Sequence, residues 1–218
     1  MSYHSLEHCL LDLEAQGMLV RISEEIDPYL EMAAIHLRVH EAGGPAILFE
    51  QVKGSRFRAA SNLFGTLARS RYIFRESWQQ VQKLIELKQD PTRALQQPLR
   101  TLQTLWNGRF ALPMKNPGRQ PVRYEQVSLN DLPLITHWKM DGGPFITLPQ
   151  VYTEDADQPG IQHSNLGMYR IQLKGNDYES GAEVGLHYQL HRGIGVHQWK
   201  AQRKQVPFKV SCFVDRKS

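Results

Sequence analysis

The sequence predicts an α/β fold in which helices and strands alternate at first and strands dominate later. Helical and strand-like apolar patterns alternate from Ser5 to Gln89. A polar, proline-containing stretch from Met114 to Pro121 then interrupts the pattern, and short strand-like segments separated by Gly, Pro, Asp and Asn follow it. We therefore expect an α/β domain over residues 1–118 and a strand-rich domain over residues 119–218.

The first elements follow from apolar spacing and from helix-capping residues. Apolar residues recur at helical spacing from Ser5 to Gly17, with Ser5 as the N-cap and Gly17 as the stop. Met18 to Ile22 then reads as a strand. Asp27-Pro28 has the chemistry of a cap and first turn, which predicts a second helix that ends at Gly43-Gly44.

The remaining elements are bounded by turn residues. Ala46 to Phe49 and Phe57 to Ala60 are predicted strands, and Trp78 to Gln89 is a predicted helix that Asp90-Pro91 closes. The strands predicted after the linker are Val122 to Tyr124, Phe145 to Leu148, Val151 to Thr153, Met168 to Leu173, and Phe208 to Phe213.

Composition excludes several classes of protein. The chain is 41% hydrophobic and 22% charged, as is usual for globular proteins, and its formal net charge of +4 permits nucleic-acid binding without indicating it. Two cysteines, Cys9 and Cys212, lack the spacing of a zinc site or a disulfide framework. With no leader or transmembrane segment evident either, we expect a protein of the reducing cytoplasm. We expect no nucleic-acid partner, because no RNP-like aromatic stripe or recognition-helix pattern accompanies the basic residues.

The richest cluster of chemistry-bearing side chains runs from Asn165 to Gln172. The Asn165 amide and the His191 imidazole are suitable ligands for a divalent ion such as manganese. If Met168 to Leu173 is one strand, Met168, Arg170 and Gln172 share a face and Arg170 and Gln172 address a common ligand. Arg170 is then the candidate for binding a carboxylate through a bidentate pair of hydrogen bonds.

A second cluster, from His187 to Gly195, combines imidazoles, an arginine and glycines. Backbone amides beside glycine, together with Arg192, form a plausible phosphate cradle. The alternative, a solvated His-Arg-Gly loop, stays open on sequence alone. Likewise, the run from Asp141 to Thr147 reads either as a hairpin turn or as a loop that lines a site.

Several motifs together resemble the UbiD family of prenylated-flavin decarboxylases, and in particular its 3-polyprenyl-4-hydroxybenzoate branch. They occur in the family's order, and residues 5 to 50 resemble the family's opening helix, strand, Asp-Pro helix and Gly-Gly-Pro strand. The motifs that carry the resemblance are Asn62-Leu63-Phe64-Gly65, Leu132-Pro133, Asp141 to Thr147, Asn165 to Gln172, and His191-Arg192-Gly193.

The resemblance implies a split β-barrel of flavin-reductase type in the second domain, incomplete in this chain, and a set of cofactors: prenylated FMN, manganese and potassium. It implies Asn165 and His191 as metal ligands and Arg170 as a catalytic residue that holds the substrate carboxylate. The residues implied to bind the cofactor are Met168, Tyr169, Arg170, His187, Tyr188, Gln189, Arg192 and Gly193.

The resemblance also implies a reaction and an assembly with other chains. Family members decarboxylate an aromatic or α,β-unsaturated acid, and 4-hydroxy-3-polyprenylbenzoate in ubiquinone biosynthesis is one candidate substrate. The family's third metal ligand and its acidic proton donor have no motif match up to Ser218. We therefore expect either a carboxy-lyase, or its N-terminal portion, or a non-catalytic homologue that needs a partner chain. A homo-oligomer or pairing with a C-terminal partner chain is the expected assembly.

Overall fold

The structure is a computed structural model that describes residues 3, 5–89, 102, 106 and 127–214. The opening helix α1 spans Leu6–Ala15, and the Ser5 hydroxyl caps it by accepting from the His8 amide at 3.2 Å. Gly17 ends it with a φ of +67°. The predicted first helix and both of its boundaries are confirmed.

The first sheet has the order β1-β2-β3, formed by Leu19–Ile26, Ala46–Val52 and Ala59–Ser61. Strand β1 runs parallel to β2, helix α2 (Glu31–Glu41) connects them, and β3 returns antiparallel to β2. Ile47 and Phe49 are fully buried on one face of β2 and Leu48 is buried on the other. The predicted α/β arrangement of the first part is therefore confirmed.

Helix α2 begins later than Asp27-Pro28 predicts. Leu30, with a φ of +67°, is its N-cap residue. The Asp27 carboxylate instead accepts from the Tyr29 amide at 2.8 Å, and Tyr29 forms an isolated bridge with Thr136. The prediction that Asp27-Pro28 caps the helix is wrong: Pro28 lies in a turn before the helix, and Tyr29, which pairs with Thr136, separates that turn from the N-cap residue Leu30.

Two helices follow the first sheet. Helix α3 (Leu67–Ile73) was not predicted, and the Thr66 hydroxyl caps it. Helix α4 spans Arg75–Gln89 and carries exposed apolar side chains, among them Trp78. The predicted stop at Asp90-Pro91 lies outside the described residues, as do the Met114–Pro121 linker, the Val122–Tyr124 strand and the 118/119 boundary.

The second part contains two more three-stranded sheets, of order β4-β7-β8 and β6-β5-β9. Helix α5 (Gly193–Arg203), which was not predicted, packs on the second of them. The strands are β4 (Phe145–Ile146), β5 (Gln150–Glu154), β6 (Ser164–Met168), β7 (Ile171–Gln172), β8 (Gly185–Leu186) and β9 (Val210–Phe213). Within the described residues no sheet closes, so the split barrel stays a prediction.

The predicted single strand from Met168 to Leu173 is wrong. The chain leaves β6 at Met168, bends at Tyr169 and Arg170, and enters β7 in a different sheet. The bend breaks the alternation that would place Met168, Arg170 and Gln172 on one face. It also turns Tyr169 and Arg170 into the connection between the two sheets.

No helix in the described ranges combines the length and the apolar character that crossing a membrane requires.

Candidate functional site

The candidate site is a cavity of about 440 Å³ at the bend between β6 and β7. Residues from the bend and from the segment between β8 and α5 line it. They are Gly167, Met168, Tyr169, Arg170, His187, Tyr188, Gln189 and Arg192. All the residues expected to bind the cofactor, apart from Gly193, thus meet around one cavity.

Two neighbouring segments line this cavity and are joined by backbone and aromatic contacts. The His187 amide donates to the Arg170 carbonyl at 3.1 Å, which holds the two segments side by side. The rings of Tyr169 and Tyr188 meet edge to face with centroids 6.3 Å apart. An apolar, aromatic wall of this kind suits a flat conjugated ring.

Arg170 is held by two residues of the turn and strand that precede it. Its Nη2 donates to the Asp141 carboxylate at 2.8 Å, and its guanidinium lies 4.0 Å from the centroid of the Phe145 ring. The Arg170 side chain keeps 44% of its exposure, whereas that of Asp141 is only 12% exposed. Part of the guanidinium thus remains available to an anion in the cavity.

His137 belongs to the same polar cluster. Its Nδ1 is buried and has no hydrogen-bond partner within the described ranges. Burial lowers the pKa of His137, the nearby Asp141 opposes that shift, and Arg170 adds to it. The Asp141 turn thus reaches the cavity through its ion pair with Arg170, and none of its residues lines the cavity.

Gln172 does not share a ligand with Arg170, contrary to the sequence-based prediction. Its side chain is 1% exposed, and its amide bonds only to protein groups. The bend at Tyr169 and Arg170 separates the two side chains: Arg170 faces the cavity, and Gln172 lies beneath it.

The far end of the cavity meets the N-terminus of α5. Arg192 is the N-cap residue and provides no side-chain cap, so the first amides of the helix are left for an external acceptor. A Cβ on Gly193 would lie 2.5 Å from Asn165 Oδ1, so only glycine lets the Asn165 amide approach this closely. Helix amides and the Arg192 guanidinium together favour an anion such as a phosphate.

The expected metal ligands are not gathered into a complete protein site. Asn165 lies beside Gly193 and donates from Nδ2 to the Tyr169 hydroxyl at 3.3 Å. His191 is exposed on the turn that leads into α5. In the parts of the chain that the structure describes, no group of three His, Cys, Asp or Glu side chains is arranged to hold a metal. An amide oxygen and an imidazole nevertheless fit a divalent ion to which a phosphate adds oxygen ligands.

Sequence reasoning missed two features of the site. In the sequence Asp141 resembles a turn residue, because it precedes Gly142-Gly143. In the structure its carboxylate pairs with the Arg170 side chain. The glycines at the start of α5 suggest a flexible turn instead of a helix. The buried positions Ile194, His197 and Ala201 are spaced three and four residues apart, and this helical period is the signal that could have found α5.

Comparison with known proteins gives a consistent result over most of the chain. Residues 10–88 match the 3-octaprenyl-4-hydroxybenzoate carboxy-lyase N-terminal domain, UbiD_N, and residues 114–215 match the Rift-related domain of the same carboxy-lyase, UbiD. A Chlamydia pneumoniae protein, named as a subunit of 4-hydroxybenzoate decarboxylase, is 35% identical over 210 residues. That match covers 92% of this chain and 33% of the relative.

Solved structures of UbiD-class enzymes share the fold. HmfF from Pelotomaculum thermopropionicum, in complex with prFMN, is 25% identical with a TM-score of 0.69 over 96% of this chain and 44% of its own. Vanillic acid decarboxylase ShVdcCD from Sedimentibacter hydroxybenzoicus, in closed form, is 25% identical with a TM-score of 0.73 over 97% of this chain and 43% of its own. The chain spans about a third of the length of the curated relatives it matches.

Proposed function

Because the chain belongs to the UbiD family of carboxy-lyases, we propose that it forms the cofactor-binding part of a decarboxylase acting on an aromatic or α,β-unsaturated acid. The observation that carries the proposal is the single cavity that joins Arg170, an aromatic wall and the N-terminus of α5. We take 4-hydroxy-3-polyprenylbenzoate as the first substrate to test, since the matched family descriptions specify a polyprenyl-hydroxybenzoate.

The cofactor in this proposal is prenylated FMN, as in the HmfF structure. Met168, Tyr169 and Tyr188 would contact the flavin ring, while His187 and Gln189 would contact its polar edge. The phosphate would meet Arg192 and Gly193, and Asn165 and His191 would be ligands of a manganese ion, with potassium as a second cation. When bound, the prenylated flavin supplies the electron sink for the pair left by carbon dioxide.

Arg170 would bind the carboxylate of the substrate through the part of its guanidinium that Asp141 does not engage. Its stacking on Phe145 and its ion pair with Asp141 hold the group in place before the substrate arrives, which reduces the cost of ordering it. The positive charge of Arg170 then stabilises the anionic substrate beside the aromatic residues of the cavity. None of the residues that line the cavity is an Asp or Glu that could protonate the product.

Purification of the 218-residue chain with a source of prenylated flavin tests the proposal. We expect a bound flavin spectrum, and carbon dioxide release from an aromatic acid once a C-terminal segment of a relative is added. Arg170→Gln should abolish carbon dioxide release, whereas the other residues of the cavity should still bind enough flavin to give its spectrum. Absence of bound flavin even with the added segment would reject the proposal.

A second candidate is an assembly component that lacks activity until it joins a partner chain. One observation favours it: the relatives and neighbours include a protein named as a decarboxylase subunit and a decarboxylase named ShVdcCD. Size-exclusion chromatography and pull-down with a C-terminal partner would separate the candidates. An assembly component should aggregate when it is purified alone and should be soluble in the complex. We propose that this complex works in the cytoplasm.

A further inference from the structure

Gln172 is a fully engaged, buried polar side chain beneath the cavity. It is 1% exposed, yet it makes four hydrogen bonds. Its Nε2 donates to the carbonyls of Gly142 at 3.1 Å and Lys174 at 3.2 Å. Its Oε1 accepts from Asn176 Nδ2 at 3.3 Å and faces His187 Nε2 at 3.0 Å.

The orientation of this amide follows from its neighbours. Two carbonyl oxygens lie on one side and require the NH2 group there, because the flipped amide would set its oxygen against both of them. The Oε1 atom therefore faces His187, and an amide oxygen can only accept. His187 Nε2 must carry the hydrogen.

This hydrogen bond decides which nitrogen of His187 can accept. A neutral imidazole has one N–H, so a protonated Nε2 leaves Nδ1 with a free lone pair. The ring plane is fixed by edge-to-face packing on Phe145, with centroids 5.3 Å apart and an interplanar angle of 71°. Because His187 lines the cavity, Nδ1 is the nitrogen left for a ligand.

We propose that Gln172 is a positioning residue that holds His187 in its Nε2–H tautomer, so that Nδ1 accepts a hydrogen bond from an N–H or O–H group of the flavin. The identity of the ligand rests on the proposed function, whereas the tautomer rests only on the hydrogen bonds of the chain. Flavins offer such donors in the imide N–H of the ring and in the ribityl hydroxyls.

The Gln172 side chain also links the turn that holds Arg170 to the lining of the cavity. Gly142 follows Asp141, the counter-ion of Arg170, and His187 lines the cavity. Removing the Gln172 amide would take the side-chain donor away from the Gly142 and Lys174 carbonyls, and it would free the imidazole to flip or to change tautomer. Gln172 thus couples the geometry of the carboxylate-binding arginine to that of the flavin wall.

Long-range ¹H–¹⁵N NMR of the full chain without flavin tests the tautomer directly. At about pH 8, above the ordinary histidine pKa, we expect His187 to show a protonated Nε2 and an unprotonated Nδ1. His187→Gln identifies the resonances. A protonated Nδ1 of His187 in the wild-type chain would overturn the inference.

A charge substitution gives an independent readout. In Gln172→Glu, the carboxylate still accepts from Nε2–H, so His187 should keep the same tautomer while its ring ¹⁵N chemical shifts change. Gln51→Glu, exposed on β2 in the first sheet, makes the same charge change and should leave the His187 ring ¹⁵N chemical shifts unaltered. Equal His187 chemical shifts in both variants would contradict direct contact.

Flavin binding separates this inference from the proposed function. Gln172→Met should weaken FMN binding about tenfold, the loss of roughly one hydrogen bond, as measured by quenching of flavin fluorescence. Unchanged FMN affinity in a folded Gln172→Met protein would refute the ligand contact. Failure of the wild-type chain to bind FMN at all, with the expected tautomer present, would count against the proposed function alone.

Discussion

Arg170 occupies its position because of two residues that lie well before it in the chain. Asp141 provides the counter-ion and Phe145, 4% exposed, provides a rigid ring beneath the guanidinium. The residue types at this site were evident from the sequence, but these pairings were not. Spacing along the chain carries no information on which turn will lie against which bend.

Removing the Asp141 carboxylate tests this arrangement. Asp141→Ala should weaken benzoate binding about tenfold, because the guanidinium loses its anchor. Asp141→Asn should bind benzoate at least as well as the wild type, since its amide oxygen still accepts and the charge repulsion is gone. Chemical-shift titration at pH 7 measures both.

Stability provides the control for this pair. Each variant should change the free energy of unfolding by less than about 1 kcal/mol, because the ion pair is partly exposed. Asp177→Ala, at an exposed position, should leave benzoate affinity unchanged. Benzoate affinity equal in Asp141→Ala and Asp141→Asn would contradict a positioning role for the carboxylate.

Two glycines of α5 should respond differently to alanine. In Gly193→Ala the added methyl group meets the Asn165 side chain at the phosphate end, whereas in Gly195→Ala it meets the Leu190 backbone carbonyl. Gly193→Ala should lose FMN affinity and keep its stability, because alanine favours the helix by up to about 1 kcal/mol and a side chain can move aside. Gly195→Ala should lower the free energy of unfolding by more than about 1 kcal/mol.

Riboflavin is the matched ligand for this test, since it lacks the phosphate. Gly193→Ala should bind riboflavin as the wild type does while its FMN affinity falls. A parallel loss of both ligands would show that α5 does not provide the phosphate end of the site.

At the scale of elements, β2 organises the first part of the chain. It is the central strand of its sheet, with α1 packed over one face and α2 over the other. A continuous apolar run bounded by Gly44-Pro45 and Lys53-Gly54 is typical of such a strand, which explains why it was predicted correctly. Short strands such as β7 and β8 form only by pairing with neighbouring strands, and they were not predicted correctly.

Phe49→Ala should lower the free energy of unfolding by about 3–5 kcal/mol, because the ring is fully buried and leaves a cavity. Chemical denaturation monitored by circular dichroism measures it. Phe64→Ala, the same substitution at a ring that is 51% exposed, should cost about 1 kcal/mol or less. Similar losses at the two positions would contradict β2 as the core strand.

Asp12 ties together elements that are far apart in sequence. Its carboxylate accepts from the hydroxyls of Tyr3 at 2.5 Å and Tyr72 at 3.0 Å, and it pairs with Arg75 at 2.9 Å. The hydrogen bond from Tyr3 is the main cause that lowers the pKa of Asp12. Burial and this same bond raise the pKa of Tyr3 to about 12.

A lowered carboxyl pKa predicts how stability depends on pH. The contribution of Asp12 is fully present above the unfolded value of about 3.9, and it is lost as the pH falls through the lower folded pKa. Asp12→Asn should reduce the free energy of unfolding at pH 7 by about 1–2 kcal/mol. Its difference from the wild type should shrink as the pH is lowered below about 4.

Denaturant titrations across the acid range measure this difference. Glu24→Gln, at an exposed position on β1, should show no such pH-dependent gap. If the difference in free energy of unfolding between Asp12→Asn and the wild type stayed constant down to acid pH, the carboxylate charge would not contribute to stability.

At the scale of the whole molecule, one face of the sheet β6-β5-β9 has no cover in the described part of the chain. Met168 and Phe213 both lie opposite Gln150 in register, and Leu166 follows on the same face. Their exposures are 65%, 46% and 62%, whereas the opposite face packs on α5. Apolar side chains in such a row favour association.

We expect the isolated chain to self-associate, or to bind a C-terminal partner, through this face. Replacing Leu166 and Phe213 together by serine should shift sedimentation towards the 25.1 kDa monomer without unfolding the chain. Leu190→Ser, at a position 77% exposed elsewhere, is the control. If the wild-type chain is monomeric and also does not bind a C-terminal segment, the expected assembly is contradicted.

Apolar period, helix caps and motif order are local properties of a chain, so the family, the α/β order of the first part and the residue types of the site could be predicted from the sequence. The remaining features depend on tertiary contacts. Tertiary structure broke the strand at Tyr169 and Arg170, turned the His-Arg-Gly segment into the start of α5, and paired Arg170 with Asp141. Such contacts join residues far apart in sequence, and their free energy comes from burial and hydrogen bonding that exist only once the sheets have formed.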